Sequence, residues 1–356
     1  MNKKIISILL IMLLAMTAMV GCGGSGGDAE PVDSGNGSAG EGLGDPVSLT
    51  LGHPYTTTDY RGAAMDFFAQ KVSELSDGNI TVSVFPSGTL TTSQDALKSV
   101  ASGSADMAIG ALSFSSSEVP ALLPLDIGGI YDPAYFDETV EAIMPVMDKI
   151  MATQNQKILY MPDETNMIFY LNKDKAREVH SPADISNLRL RDHGLWIGKT
   201  IASYGASPMT IVPADLTVAL ERGTVDGGYT GWGFYYTFRL HESAPSISYT
   251  EIGKSAMAPC TINLDKWNSM TAEQQAIVEE AMALATEYGN EKLQENWESL
   301  VADVEAAGGS IYYLTKEENQ AFVDAAAPLI EEAREATDDL GRELIDALLS
   351  APSNYR

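Results

Sequence analysis

Residues 47–85 read VSLTLGHPYTTTDYRGAAMDFFAQKVSELSDGNITVSVF, and this stretch decides the fold class. Its first six residues alternate apolar and polar side chains, as a half-buried strand does. A polar loop follows, and then Ala63, Phe67, Phe68, Val72 and Leu75 recur at helical spacing until the turn Ser76-Asp77-Gly78-Asn79. Residues 80–85 predict a second strand, closed by Pro86-Ser87-Gly88. Downstream, Ser93 opens a helix with Leu97 and Val100 facing inward, Gly103 ends it, and residues 107–112 form another apolar strand. Strand, helix, strand, helix, strand is the pattern of a parallel sheet covered by helices.

A second set of the same kind begins further on. Strands are predicted at 158–161, 167–172 and 188–191, a helix at 196–204, an extended run at 208–212, and a helix at 216–222 closed by Gly223. The tail from Thr271 reads almost entirely as helix, opened by the capping-box sequence Thr271-Ala-Glu-Gln274, with one late strand at 311–314 after Gly308-Gly309. The globular part, about 300 residues from residue 48 onward, exceeds one ordinary core. Two α/β lobes with a ligand cleft between them are therefore expected, since concave sites at domain interfaces suit small-solute capture.

The start of the chain assigns a compartment. Lys3 and Lys4 precede a charge-free apolar run over residues 5–20, which ends at Gly21-Cys22. That is the layout of a secretory signal, and the run is shorter than a membrane-spanning helix requires. Cys22 after Val20-Gly21 resembles a lipobox cysteine, acylated at the mature N-terminus; ordinary cleavage with loss of Cys22 is the other reading. Residues 1–21 are thus read as a lipoprotein signal, 22–47 as a flexible Gly, Ser and acidic tether, and 48–356 as the folded part. Within it, lobe I is placed at about 48–165 with part of 255–300, and lobe II at about 166–254 with part of the C-terminal region. The formal charge of −27 becomes −29 without Lys3 and Lys4, which disfavours nucleic acid and anionic membrane surfaces as partners. Cys260 would be the sole cysteine left beside a lipidated Cys22, so no disulfide is expected, and a buried small residue is.

Several segments, in order, carry a resemblance. Phe67-Phe68-Ala-Gln-Lys71-Val-Ser-Glu74-Leu-Ser-Asp77-Gly78, Val84-Phe-Pro86-Ser-Gly88-Thr-Leu90 and Gly103-Ser-Ala-Asp106-Met107 are followed by Leu188-Arg-Leu190-Arg191. Ala219-Leu220-Glu-Arg-Gly223-Thr-Val225-Asp226-Gly227 and Trp267-Asn-Ser-Met-Thr271-Ala-Glu-Gln274-Gln275 complete the series. Together they resemble the DctP-type solute-binding subunits of TRAP (tripartite ATP-independent periplasmic) transporters. The resemblance implies a two-lobed periplasmic-binding-protein-like fold of type II character, with long C-terminal helices. It also implies capture of a small carboxylate-bearing solute and delivery to a small and a large membrane subunit, driven by an ion gradient.

By that resemblance Arg191 holds the solute carboxylate, a task suited to guanidinium because its planar fork donates two parallel hydrogen bonds and stays charged. Arg189, two positions before, is expected on the opposite, solvated face of the strand. A second arginine that many members carry upstream falls near Tyr170-Leu171, where no basic residue stands, and their Glu-Asn-Pro reads here as Tyr229-Thr230-Gly231. The solute is therefore expected to differ from a sialic acid or a C4-dicarboxylate held by two arginines. Thr230 remains a hydrogen-bond donor, and Tyr229 and Trp232 are candidates to line the pocket; Phe234 and Tyr236 are read as core. In lobe I the loop after the first strand places His53 and Tyr55 near the solute, with Phe114 after the third strand. Asn166 and Glu164 precede the strand entering lobe II and could bind an amine.

Two other readings stay open: a solute-binding protein serving an ATP-driven importer or a sensor, and an exported hydrolase. The four histidines form no HExxH, GxSxG is absent, and no cysteine pair has zinc spacing. No catalytic residue, metal or cofactor is expected. The mature protein is expected to be a monomer outside the cell, lipid-anchored to the outer face of the cytoplasmic membrane or free in the periplasm, with the anchor its only membrane contact.

Overall fold

Strand β1 (Val47–Gly52) lies between its two parallel neighbours, β2 (Ile80–Phe85) and β3 (Met107–Ile109). The computed structural model describes residues 43–355 other than 163, 212 and 256. The expected export signal, Cys22 and the expected tether up to residue 42 lie outside the described residues. Helices α1 (Tyr60–Leu75) and α2 (Ala96–Ala101) connect the first strands. Asp59 starts α1 by accepting the Arg61 amide, and the turn after it uses left-handed backbone at Asp77 and Gly78. Short 3₁₀ turns at Leu112–Ser115, Pro120–Asp126 and Pro133–Tyr135 lead to α3 (Phe136–Thr153) and then β4 (Gln156–Tyr160).

The chain then crosses into a second sheet. Its elements are β5 (Asn166–Leu171), α4 (Pro182–Ile185), β6 (Arg189–Asp192), α5 (Leu195–Ser203), β7 (Ser207–Thr210) and α6 (Pro213–Glu221), then β8 (Gly227–Gly231), α7 (Trp232–Thr237) and β9 (Ser246–Lys254). The chain returns to the first sheet through β10 (Cys260–Asn263) and α8 (Leu264–Asn268). Helix α9 (Ala272–Ala306) has 35 residues, about 52 Å at 1.5 Å per residue, enough to run beside both lobes. It is followed by β11 (Ser310–Tyr313), α10 (Lys316–Ala326), α11 (Pro328–Ala336) and α12 (Asp339–Ser350). Strand order is β2-β1-β3-β10-β4 in one sheet and β11-β9-β5-β8-β6-β7 in the other. This is the two-lobed α/β architecture with long C-terminal helices expected from the sequence.

Packing follows from the strand alternation. In lobe I, Leu49, Leu51 and Met107 meet Met65, Phe68 and Val72 of α1 and Val278 and Met282 of α9, all buried. Each such side chain contributes about 1.5–3 kcal/mol when withdrawn from water. Strand β5 is covered on both sides: Met167, Phe169 and Leu171 join a core with α5 and α10, whereas Ile168 and Tyr170 face α6, α7 and α9. Cys260 is buried in the lobe I core, with burial pushing its thiol up to about 12. Residues 43–46 are held against the start of α9, where the Gln274 side chain donates to the Asp45 carbonyl. Among the described residues no helix is long and apolar enough to cross a membrane.

Candidate functional site

The parallel strands β6, β7 and β8 end on one edge of the second sheet, and ligands of open α/β sheets bind outside such carboxyl ends. Arg191 stands there. It is only 4% exposed, its Nε donates to the Ile211 carbonyl at 3.2 Å, and its Cζ lies 4.6 Å from the centre of the Phe234 ring. Among the described residues no carboxylate pairs with it. Burial pulls the guanidinium below its ordinary pKa, yet arginine stays charged. A buried cation without a counter-ion is costly, so the arrangement favours an incoming anion.

Arg191 pairs in register with Gly228, which in turn pairs with Tyr170. A Cβ at Gly228 would stand 2.2 Å from the Tyr170 hydroxyl, so this glycine gives the phenol its place across β8. That hydroxyl is buried without a hydrogen-bond partner, and burial pushes its pKa up to about 12. Two-residue spacing puts Thr230 on the same side of β8 as Gly228, and Tyr229 on the other. Tyr229 stacks on Phe169 at 4.6 Å in the opposite core. Trp232 opens α7 and packs on Trp297 of α9, ring centres 4.9 Å apart. Asn166 donates to the Thr250 carbonyl at 3.2 Å.

Arg189 corrects the expectation that it faces away from Arg191. Residues two apart on a strand share a face. At the start of β6 it forms a forked pair with Asp226, Nε to Oδ2 at 3.1 Å and Nη2 to Oδ1 at 2.9 Å, and holds that carboxyl below its ordinary pKa.

Lobe I contributes a knot of charge that the sequence reading missed. Arg61 Nε and Nη2 each reach an Asp59 oxygen at 2.9 Å, and its Nη1 reaches Glu164 at 3.2 Å. The guanidinium lies 3.8 Å above the Tyr55 ring, and the Tyr60 hydroxyl donates to Glu164 at 3.4 Å. Every edge of Arg61 is thus engaged. His53 is wholly buried beside Tyr55, both ring nitrogens unpartnered, and burial lowers its pKa to about 4, so it is neutral at pH 7. Phe114 is exposed on the turn after β3. The signal for the knot was Asp59-Tyr60-Arg61, two opposite charges at the mouth of a helix.

One bond of the knot joins the lobes: Thr237 at the end of α7 donates to Asp59 Oδ2 at 3.0 Å. Hydrogen bonds to ionised groups are worth about 1.5 kcal/mol or more, close to tenfold in an equilibrium constant. Thr237→Val is therefore expected to shift the unliganded protein toward an open form and weaken solute binding up to about tenfold. Small-angle scattering would report the larger radius, and Thr237→Ser should restore the compact form.

A small cavity lies on the opposite face of the second sheet, at the same edge. It measures about 10 Å³ and is lined by Asp126, Tyr131, Met167, Ile197, Tyr229 and Lys254, among others. Nothing in the sequence reading pointed to Asp126, which ends a 3₁₀ turn that also carries Leu122, Leu123 and Leu125.

Comparison with known proteins places this geometry. The ectoine-binding periplasmic protein TeaA of Halomonas elongata is 25% identical over 305 residues, covering 82% of this chain and 87% of the relative. The C4-dicarboxylate-binding periplasmic protein DctP of Rhodobacter capsulatus is 22% identical over 317 residues, covering 87% and 92%. A TRAP periplasmic solute-binding protein of Roseobacter denitrificans, solved with bound β-D-glucuronate, superposes with a TM-score of 0.76 at 23% identity, covering 86% of this chain and all of the other. The family model described as "Bacterial extracellular solute-binding protein, family 7" matches residues 51–336, and the chain therefore belongs to that family, the DctP-type solute receptors of TRAP transporters.

Proposed function

We propose that this receptor captures a small monocarboxylate in the interlobe cleft and passes it to the small and large membrane subunits of a TRAP transporter. The observation that carries the reading is Arg191, a buried guanidinium with no carboxylate partner among the described residues. Arg61 supplies no second anchor, because Asp59 and Glu164 already occupy its fork. One carboxylate fits this pattern better than two. Thr230 adds a hydroxyl on the Arg191 side. His53, Tyr55 and Phe114 close from lobe I, Asn166 fixes the entry of β5, and Trp232 stands at the start of α7, whereas Tyr229 supports the sheet from its other face. Relatives named for ectoine and C4-dicarboxylates, and one solved with glucuronate, are consistent with a carboxylate ligand.

The test begins with protein purified without refolding. Native mass spectrometry should show a copurified acid, and a thermal-shift screen of organic acids should give its highest rise for monocarboxylates, because ligands that bind only the folded state raise its melting temperature. A screen answered only by dicarboxylates would sink the reading.

The receptor is further proposed to be lipid-anchored through Cys22 on the outer face of the cytoplasmic membrane. Cys22→Ser is expected to move it from the membrane fraction to the soluble fraction. Unchanged fractionation would leave Cys22 without that role.

A further inference from the structure

The Arg191 face of the second sheet holds a polar atom that has no assigned role. Tyr170 is wholly buried, and its hydroxyl has no hydrogen-bond partner. Tyr235 packs beside it in the same core, ring centres 5.5 Å apart, and there the hydroxyl donates to the Ala244 carbonyl at 2.7 Å. Buried hydroxyls without a partner are uncommon and destabilising. A phenylalanine would fill the space at position 170 without that cost.

Register fixes where the hydroxyl lies. Tyr170 pairs with Gly228 and Gly228 with Arg191, so all three share one face of the sheet, on successive strands about 4.8 Å apart. A Cβ at Gly228 would stand 2.2 Å from the phenol oxygen, 2.5 Å from Cζ and 2.8 Å from Cε1. The ring therefore runs from β5 across β8, and its hydroxyl ends about one strand spacing from Arg191. The two groups also feel each other's charge: burial raises the phenol pKa and Arg191 pulls it back, to about 12.

The groups that meet Arg191 reach the surface. Its Nε donates to the Ile211 carbonyl and its fork lies against Phe234, and Ile211, Phe234 and the following His193 are each half-buried. One layer of side chains thus separates the guanidinium from solvent. With Nε engaged, the terminal nitrogens remain for a carboxylate, whose oxygens keep lone pairs for a further donor. The other titratable neighbours supply no second cation. His193 is neutral at pH 7, because burial and the Arg191 charge lower its pKa to about 3. Asp192 points to the other side of β6, where it accepts from Thr210 at 2.9 Å. A guanidinium beside a neutral phenol complements a single negative charge.

We infer that Tyr170 is a solute-binding residue whose hydroxyl donates to the carboxylate that Arg191 holds. This rests on the proposal that Arg191 binds the carboxylate. Tyr170 then grips the acid group from the β5 side, and the incoming oxygen satisfies a hydroxyl that the empty protein leaves unpaired.

The experiment titrates acetate, butanoate, benzoate, pyroglutamate and glucuronate calorimetrically into the wild type, Tyr170→Phe and Arg191→Ala. For the tightest of these acids, Tyr170→Phe should weaken binding about tenfold or more, since hydrogen bonds to charged groups are the strong ones. Without ligand the same variant should melt no lower than the wild type. In wild type carrying ¹³Cζ-labelled tyrosine, saturation with that acid should shift the resonance that is missing from Tyr170→Phe. Affinity within twofold of the wild type, a Tyr170 resonance that stays in place, or a lower melting temperature in Tyr170→Phe would each overturn the inference. Arg191→Ala should weaken every acid that binds. Unchanged binding in that variant, or no binding of any acid by the wild type, would overturn the carboxylate reading and this inference with it.

Discussion

Arg191→Ala should lower affinity for the carboxylate solute by about thirtyfold or more while leaving the unliganded protein no less stable than the wild type. The two halves of that expectation have one cause. Truncating one partner of a buried, hydrogen-bonded charge pair costs about 2–5 kcal/mol, and 1.4 kcal/mol is a factor of ten. In the unliganded protein the guanidinium forms no ion pair among the described residues; it meets the Ile211 carbonyl and the Phe234 ring, and the nearby Asp192 charge offsets its burial only in part, so its removal relieves a cost. Arg191→Lys should fall between: the charge remains, but the two-pronged geometry does not. Calorimetric titration with the copurified acid, alongside thermal melts without it, separates these effects. An unchanged dissociation constant in Arg191→Ala would remove this residue from the site. A melt far below the wild type would recast it as a structural arginine.

How far the sequence carried this picture depends on what kind of signal each part leaves. The strand–helix alternation of residues 47–112 was legible because each element there contacts water on one side and core on the other. Helix α9 was legible from its capping box, Thr271 to Gln274, which the structure shows closed in both directions. Strands β9 and β10 were not read. Polar and apolar residues alternate in Ser246-Ile247-Ser248-Tyr249-Thr250 and in Cys260-Thr261-Ile262-Asn263, but both faces are largely buried, and the runs are short and lack the turn signals that bounded the earlier strands. Helix α3 was missed because a proline, Pro145, interrupts an otherwise good helical period.

The site divides in the same way. Arg191 could be singled out by its place in an ordered series of motifs. That no carboxylate forms an ion pair with it among the described residues could not, because that is a fact about what the fold leaves unpaired. The Asp59–Arg61–Glu164 knot joins residues more than a hundred positions apart, and the bond from Thr237 spans 178. Such partners leave no local pattern. Tyr170 stands where a second arginine was sought, and only the register with Gly228 reveals that its hydroxyl lies toward Arg191.

Asp126→Asn should stabilise the unliganded protein above pH 7 and do almost nothing near pH 4. Burial raises the folded-state pKa of Asp126 to about 7, above the 3.8 of a free carboxyl. Below about pH 4 both folded and unfolded chains hold the proton, and the group costs nothing. Between about pH 4 and pH 7 the unfolded chain ionises while the folded one resists, so stability falls as pH rises through that window. Above pH 7 the loss levels off, at an upper bound of about 4 kcal/mol for a shift of about three units at 1.36 kcal/mol each. The asparagine amide, equally buried, returns part of this, so a gain of about 2–3 kcal/mol at pH 8 is the expected outcome. Denaturant melts of wild type and variant at pH 4, 6 and 8 measure the difference directly, and other titrating groups cancel between them. A gap that does not widen with pH would mean that Asp126 is ionised freely in the fold. A widening gap would mean that the protein keeps an acid it would be more stable without.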